Sequence, residues 1–351
     1  MASPTVFPAI SVALMYARNV VEPGILAERR AFSNVRVAEL RRRIQSSDSV
    51  RKIDNLMIFC AGSYARDEAS EHSDVDLFFV YDGAVDSPSR RTDEIELFAA
   101  VIEIARNMGF PKFSNDGKYL HTLESGAMLE HLGGAEDDFK NYFTMRMLLL
   151  LESNCISGEE IYNRVRKQII EAYYRDYPDH QSTFEPWFLI NDIMRYWKTL
   201  LLNYENKRWQ KTSQDQKSKQ KVKNFKLKYS RMATCFATIA ALGSCVNPVE
   251  MNTVLSIVGL TPQDRLHHVK SNLPEISDTV DGVLDDYSWF IEQTGKTESE
   301  LLAGFLDHRS REENFKKANM FGHAMFDLLR DIDQAQLSRG VERRLLRYLV
   351  I

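Results

Sequence analysis

Apolar residues follow two different spacings along this chain. Over residues 24–48 they recur three to four apart (Ile25, Leu26, Phe32, Val35, Val37, Leu40, Ile44) with arginines mostly between them, which predicts an amphipathic helix. Leu56-Met57-Ile58-Phe59-Cys60 is a short continuous apolar run, and Val75-Asp76-Leu77-Phe78-Phe79-Val80 is a second. Runs of that length, rich in β-branched and aromatic side chains, predict buried strands. Helical spacing returns from Glu94 to Met108 through Ile95, Leu97, Ile102 and Ile104, and dominates from about residue 137. Helices are expected there over 138–153, 158–174, 188–207, 222–242, 285–294 and 312–335, with Pro178, Pro186, Pro248, Pro262 and Pro274 between them. The organisation expected is an N-terminal helical segment (1–48), a small core of strands and helices (49–125) and a larger α-helical domain (126–351).

Composition narrows the class. With 44% apolar residues the 351-residue chain can build a large core, and no run approaches the ~18 apolar residues of a membrane span. The stretch from Phe7 to Ala17 is short and lacks a basic flank, so a cytoplasmic protein is expected, with no membrane partner. Four scattered cysteines (Cys60, Cys155, Cys235, Cys245) form no CxxC pair and read as reduced packing residues. The eight histidines show no ligand spacing, which argues against a zinc site. A net charge of −4 argues against a chain coated by nucleic acid over its whole surface. That average conceals one region. Residues 207–231 hold ten Lys/Arg against the single acid Asp215, a local +9 that leaves −13 for the remainder. The stretch 213–221 reads as a solvated loop, and the charge as a surface for a triphosphate tail or a nucleic acid.

The chemistry concentrates between the two strands. The first strand ends at Gly62-Ser63, and the second opens with Asp74-Val75-Asp76. Side chains alternate faces along a strand, so Asp74 and Asp76 share one face. Adjacent carboxylates repel unless a cation lies between them, and oxygen-only ligands suit Mg²⁺ bound together with substrate phosphates. Gly62 permits close backbone approach to a phosphate, and Ser63 adds a hydroxyl. No GxxxxGK[ST] P-loop occurs.

Gly62-Ser63 followed by Asp74-Val75-Asp76 resembles the signature of the DNA polymerase β-like nucleotidyltransferase superfamily. The wording Ala61-Gly62-Ser63-Tyr64-Ala65-Arg66-Asp67-Glu68, then Ser73-Asp74-Val75-Asp76-Leu77, looks most like the nucleotidyltransferase domain of the PII-uridylyltransferase group. Asn191-Asp192-Ile193-Met194-Arg195-Tyr196-Trp197-Lys198 and Lys226-Leu227-Lys228-Tyr229-Ser230-Arg231 look like that group's helical region. The resemblance implies an α+β fold: a small mixed-sheet core with Gly62-Ser63 at the start of a helix, followed by a larger α-helical domain. It implies Mg²⁺, or Mn²⁺, held by Asp74, Asp76 and a third carboxylate on a later strand. Asp116 is chosen for that role, with Glu94 and Glu96 as runners-up. It further implies a nucleoside triphosphate substrate, ATP among the candidates, and pyrophosphate release.

Phosphate contacts are expected from Gly62, Ser63, Arg66, Arg195 and Lys226. Arg66 has the competing reading of a salt bridge to Asp67 or Glu68, and Arg195 that of a pair with Asp192 one helical turn away. Trp187, Tyr196 and Trp197 read as core. A hydroxyl on a protein is the expected acceptor. The alternatives are a nucleic-acid acceptor reached through residues 207–231, synthesis of a signalling nucleotide, and a non-catalytic nucleotide-binding regulator.

Overall fold

The computed structural model describes residues 24–83, 91–113, 117, 120–209, 213–341 and 345–350. Helices α1 (Ile25–Gln45) and α2 (Asp48–Arg51) lead into strand β1 (Leu56–Ala61). Strand β2 (Asp76–Tyr81) pairs with β1 antiparallel, in register from Leu56 opposite Tyr81 to Ala61 opposite Asp76. After α3 (Arg91–Asn107), the short β3 (Thr122–Glu124) runs parallel to β2. The fourth strand, β4 (Ser153–Ser157), pairs antiparallel with the other edge of β1, giving the mixed order β3-β2-β1-β4. The sheet thus takes a strand from well beyond residue 125.

All six residues of β1 are buried, as expected of a strand covered on both faces. Met57, Phe59 and Ala61, with Phe78 and Val80 of β2, join the core shared with the C-terminal helices. Ile58 and Cys60, with Val75, Leu77 and Phe79, face a second core closed by Val37, Leu40 and Ile44 of α1 and Leu97 and Val101 of α3. This division fixes where the acids point. Val75 and Leu77 belong to the second core, so Asp74 and Asp76 face the helical region.

That region comprises α4 (Ser125–Glu130), α5 (Ala135–Phe139), α6 (Tyr142–Leu151), α7 (Glu159–Tyr173), α8 (Trp187–Trp209), α9 (Gln214–Lys226), α10 (Met232–Ser244), α11 (Met251–Val258), α12 (Pro262–Asn272), α13 (Ser277–Thr294), α14 (Glu298–Leu306), α15 (His308–Ser338) and α16 (Leu345–Val350). Helix α10 is uncharged and buried on nearly all sides, as a central helix must be. Helix α12 is tied in by Arg265. Its fully buried guanidinium donates to the carbonyls of Leu151 (2.8 Å), Ile257 (3.0 Å) and Val258 (3.1 Å), satisfying the C-terminal ends of α6 and α11.

The basic segment departs from expectation. Within the expected loop 213–221, residues 214–221 are helical, and the Ser213 side chain caps α9 by accepting from the Gln216 amide at 3.2 Å. The single helix expected over 222–242 is interrupted by a π-helical turn, Leu227–Arg231, between α9 and α10.

Candidate functional site

Gly62 lies at φ 73°, in the left-handed region where glycine is favoured, and a Cβ there would stand 3.4 Å from Oδ2 of Asp76. The end of β1 and the first acid of β2 are therefore in contact. The resemblance implied a helix beginning at Gly62-Ser63. The chain instead makes a tight coil, in which the Arg66 amide donates to the Gly62 carbonyl (3.1 Å) and the Glu68 amide to that of Ser63 (2.9 Å). Asp67, at φ 60°, ends it.

Asp76 is partly buried, and burial together with the charge of Asp74 lifts its carboxyl to about 6, against the opposing pull of Arg231 and Arg66. Two cations stand across from the acids. Lys226 keeps solvent access yet is crowded by protein, which lowers its ammonium pKa while the charge of Asp74 supports it. Arg231 is pushed down to about 10 by burial and by Arg66, while Asp76 favours its charge. In an α-helix, residues five apart would lie about 140° apart around the axis. The wider i→i+5 turn at Leu227–Arg231 brings both cations toward the acid pair.

Behind the acids lies a buried polar ring. Arg66 donates from Nε to Glu68 (2.9 Å) and from Nη1 to Glu152. Glu152, fully buried, also pairs with Arg231 and accepts from the Tyr196 hydroxyl (3.4 Å). The Tyr287 hydroxyl donates to the other oxygen of Glu68. Two guanidiniums and two carboxylates balance, so the ring buries no net charge. Glu152 and Tyr287 were not singled out from the sequence. Glu152 follows an apolar helix and Tyr287 reads as one more core aromatic of an amphipathic helix, so no local pattern reveals their partners.

The expected site residues thus separate into groups. Gly62, Ser63, Asp74, Asp76 and Lys226 gather at one end of the β1–β2 hairpin. Arg66 lies beside them but forms the salt-bridge alternative, buried between Glu68 and Glu152. Arg195 is engaged elsewhere: it pairs with Asp192 (3.1 Å) and Asp138 (2.9 Å), and its guanidinium lies 3.8 Å from the Phe143 ring centroid. Asp116 lies outside the described residues. Glu96 pairs with Lys52, which precedes the opposite end of β1, and Glu94 accepts from Thr122, so neither joins the acid pair. Tyr196 and Trp197 are core residues, as expected.

Among the described residues no group of three His, Cys, Asp or Glu side chains could hold a metal ion. Asp74 and Asp76 nevertheless make a donor set that fits a hard divalent cation: two carboxylates on one strand face, partly buried, with one held up by the other's charge. The four cysteines form no disulfide. Cys245 comes within 3.8 Å of Nε2 of His268, but its thiol donates to the Ala241 carbonyl (3.3 Å) and Asn272 lies 3.1 Å from the same nitrogen, so no nucleophile–base pair is built. No described helix is long and apolar enough to cross a membrane.

Residues 38–125 match the family model of a nucleotidyltransferase domain, and no curated protein matches the chain. The matched segment carries the β1–β2 hairpin, Gly62-Ser63 and the acid pair. This segment is similar to a nucleotidyltransferase domain, and a largely helical region follows it outside the match.

Proposed function

We propose that this protein transfers a nucleoside monophosphate from a nucleoside triphosphate to a hydroxyl acceptor. The observation that carries the reading is the convergence of the Gly62-Ser63 coil, the Asp74/Asp76 pair and Lys226 at one end of the hairpin, inside the matched segment. Gly62 and Ser63 are suited to cradle the triphosphate, and Lys226 to neutralise its β- and γ-phosphates. The acceptor hydroxyl gives its proton to Asp116 as its oxygen attacks the α-phosphorus, the bond to the bridging oxygen breaks, and pyrophosphate leaves with that electron pair. Asp74 and Asp76, with Asp116 as the third carboxylate, would hold Mg²⁺ or Mn²⁺, which when bound lowers the pKa of the acceptor hydroxyl and neutralises the leaving charge. Arg66 and Arg231 position the acids from behind rather than touching phosphate.

The resemblance to the PII-uridylyltransferase group supports a protein hydroxyl as acceptor. A nucleic-acid acceptor is favoured by one observation: Lys217 and Lys223 project from an ordered helix that ends at Lys226. Incubation with each α-labelled triphosphate and Mg²⁺, in the presence of cell protein or RNA, tests both. Label in protein supports the first reading, label in RNA the second, and a labelled small product would indicate synthesis of a signalling nucleotide. Absence of any metal-dependent transfer would overturn the proposal in favour of a nucleotide-binding regulator.

A further inference from the structure

The buried ring reaches both walls of the site. One wall is the Gly62–Glu68 coil, which carries the phosphate-facing glycine and serine. The other is the π-helical turn, which follows Lys226 and ends at Arg231. Two connections join these walls. One runs through Glu152, which pairs with Arg66 of the coil and Arg231 of the turn. The other runs through Tyr287 of α13: its hydroxyl donates to Glu68 of the coil, and its ring packs on Phe290 and Phe321, both of which stack on Tyr229 of the turn at 4.6 Å between ring centroids. Tyr287 is buried, 219 residues from Glu68 in sequence, and is packed by Phe290 and Phe321 (ring centroids 5.7 and 5.9 Å), which hold its ring in place.

We propose that Tyr287 is a positioning residue for nucleotidyl transfer: its hydroxyl bond to the phosphate-binding coil and its ring packing toward the cation-bearing turn together fix the spacing between the two. Without it, Glu68 loses a donor inside the protein, where an unsatisfied carboxylate oxygen is costly. Arg66, which also pairs with Glu152, is then left to hold the Glu68 carboxylate. The Glu68 end of the coil is placed to respond, since Tyr64, buried against Phe110, and Asp67, beside Arg30, hold the coil on its other side. Binding of the triphosphate tolerates a loosened coil better than in-line alignment does, because alignment requires placement to within a fraction of an ångström.

The inference rests on the transfer reading for its kinetic consequence but not for its structural one, so two measurements are made on the full chain. Amide hydrogen exchange of Tyr287→Phe should rise about tenfold or more at Arg66 and Glu68, and stay at the wild-type level in α7, remote from the ring. The turnover number should fall about tenfold with KM for the triphosphate unchanged. Tyr174→Phe is the control: it also removes a buried hydroxyl bond, to the Val249 carbonyl (2.7 Å), but outside the ring, and should change neither readout. Glu68→Gln, which alters the other partner of the same bond, should reproduce the exchange change and serves if Tyr287→Phe does not fold. Unchanged exchange at Arg66 and Glu68 in a folded variant overturns the proposal, as does a rise in KM with turnover preserved. Raised exchange in a protein whose wild type transfers no nucleotide would refute the transferase reading and leave the coupling of coil to turn intact.

Discussion

Replacing Glu152 with Gln tests whether the ring behind the acids acts as a charge-balanced unit. The side chain is fully buried and engages Arg66 through one oxygen and Arg231 through the other. Glutamine keeps the shape but removes one of two negative charges facing two guanidiniums, leaving a buried excess of one positive charge. Removing one partner of a buried ion pair costs about 3–5 kcal/mol, most of it the desolvation of the group left behind. That is a large share of the ~5–15 kcal/mol that stabilises a typical domain. Arg231→Met alone should be costly for the opposite reason. The double variant Glu152→Gln/Arg231→Met restores balance among Arg66, Glu68 and neutral neighbours. It should therefore fall short of the sum of the singles by about 2 kcal/mol or more. Urea denaturation of the four proteins, with midpoints compared at constant slope, measures this coupling. Additivity within ~0.5 kcal/mol would refute the reasoning and reduce the ring to independent contacts.

Other consequences are as specific. Gly158→Ala would place a Cβ 2.4 Å from the Leu56 carbonyl oxygen and 2.9 Å from the Met57 Cα at φ 74°, whereas Gly109→Ala at φ 72° meets nothing within 4 Å. The second should lose only the ~1–2 kcal/mol of a left-handed alanine, the first several kcal/mol more, and equal losses in thermal denaturation would contradict the close packing of β4 on β1. Burial raises the Asp67 carboxyl to about 7 despite Arg30 at 3.7 Å, so the native state holds this proton more tightly than the unfolded chain. The group's contribution is full below about pH 4 and is lost as pH rises to about 7, at up to ~1.4 kcal/mol per unit. Asp67→Asn should remove that slope and be more stable than wild type at pH 8 but not at pH 4; the same deficit at both values in denaturant titrations would refute the assignment. Lys226→Gln should raise KM for the triphosphate about tenfold with a smaller effect on turnover, and an unchanged KM would remove it from the phosphate site.

The hairpin was legible in the sequence because it is buried on both faces. Leu56–Cys60 and Leu77–Val80 are continuous apolar runs, and the acids that precede the second are the proposed metal ligands. Strand β4 was not legible: Ser153-Asn154-Cys155-Ile156-Ser157 is an edge strand with one fully buried residue, Ile156, so no alternation marks it. Helix α12 escaped for a similar reason, since it is anchored by a buried arginine bonded to carbonyls rather than by an apolar stripe. The lysines of 213–221 suggested a solvated loop, yet a serine cap and two buried polar residues, Ser218 and Gln220, dock α9 against the body. The ring itself is assembled from positions 66, 68, 152, 196, 231 and 287. Only long-range folding brings such positions together, and a spacing rule cannot see them.

The central claim is that the Asp74/Asp76 pair carries nucleotidyl transfer. Its most direct test is single-turnover transfer from the preferred α-labelled triphosphate by wild type and by Asp76→Asn, each shown to be folded by its cooperative unfolding transition. The account predicts Mg²⁺-dependent label transfer by the wild type and a loss of at least ~10³-fold in the variant, the scale on which removing a principal transition-state charge acts. Transfer by Asp76→Asn at the wild-type rate would contradict it.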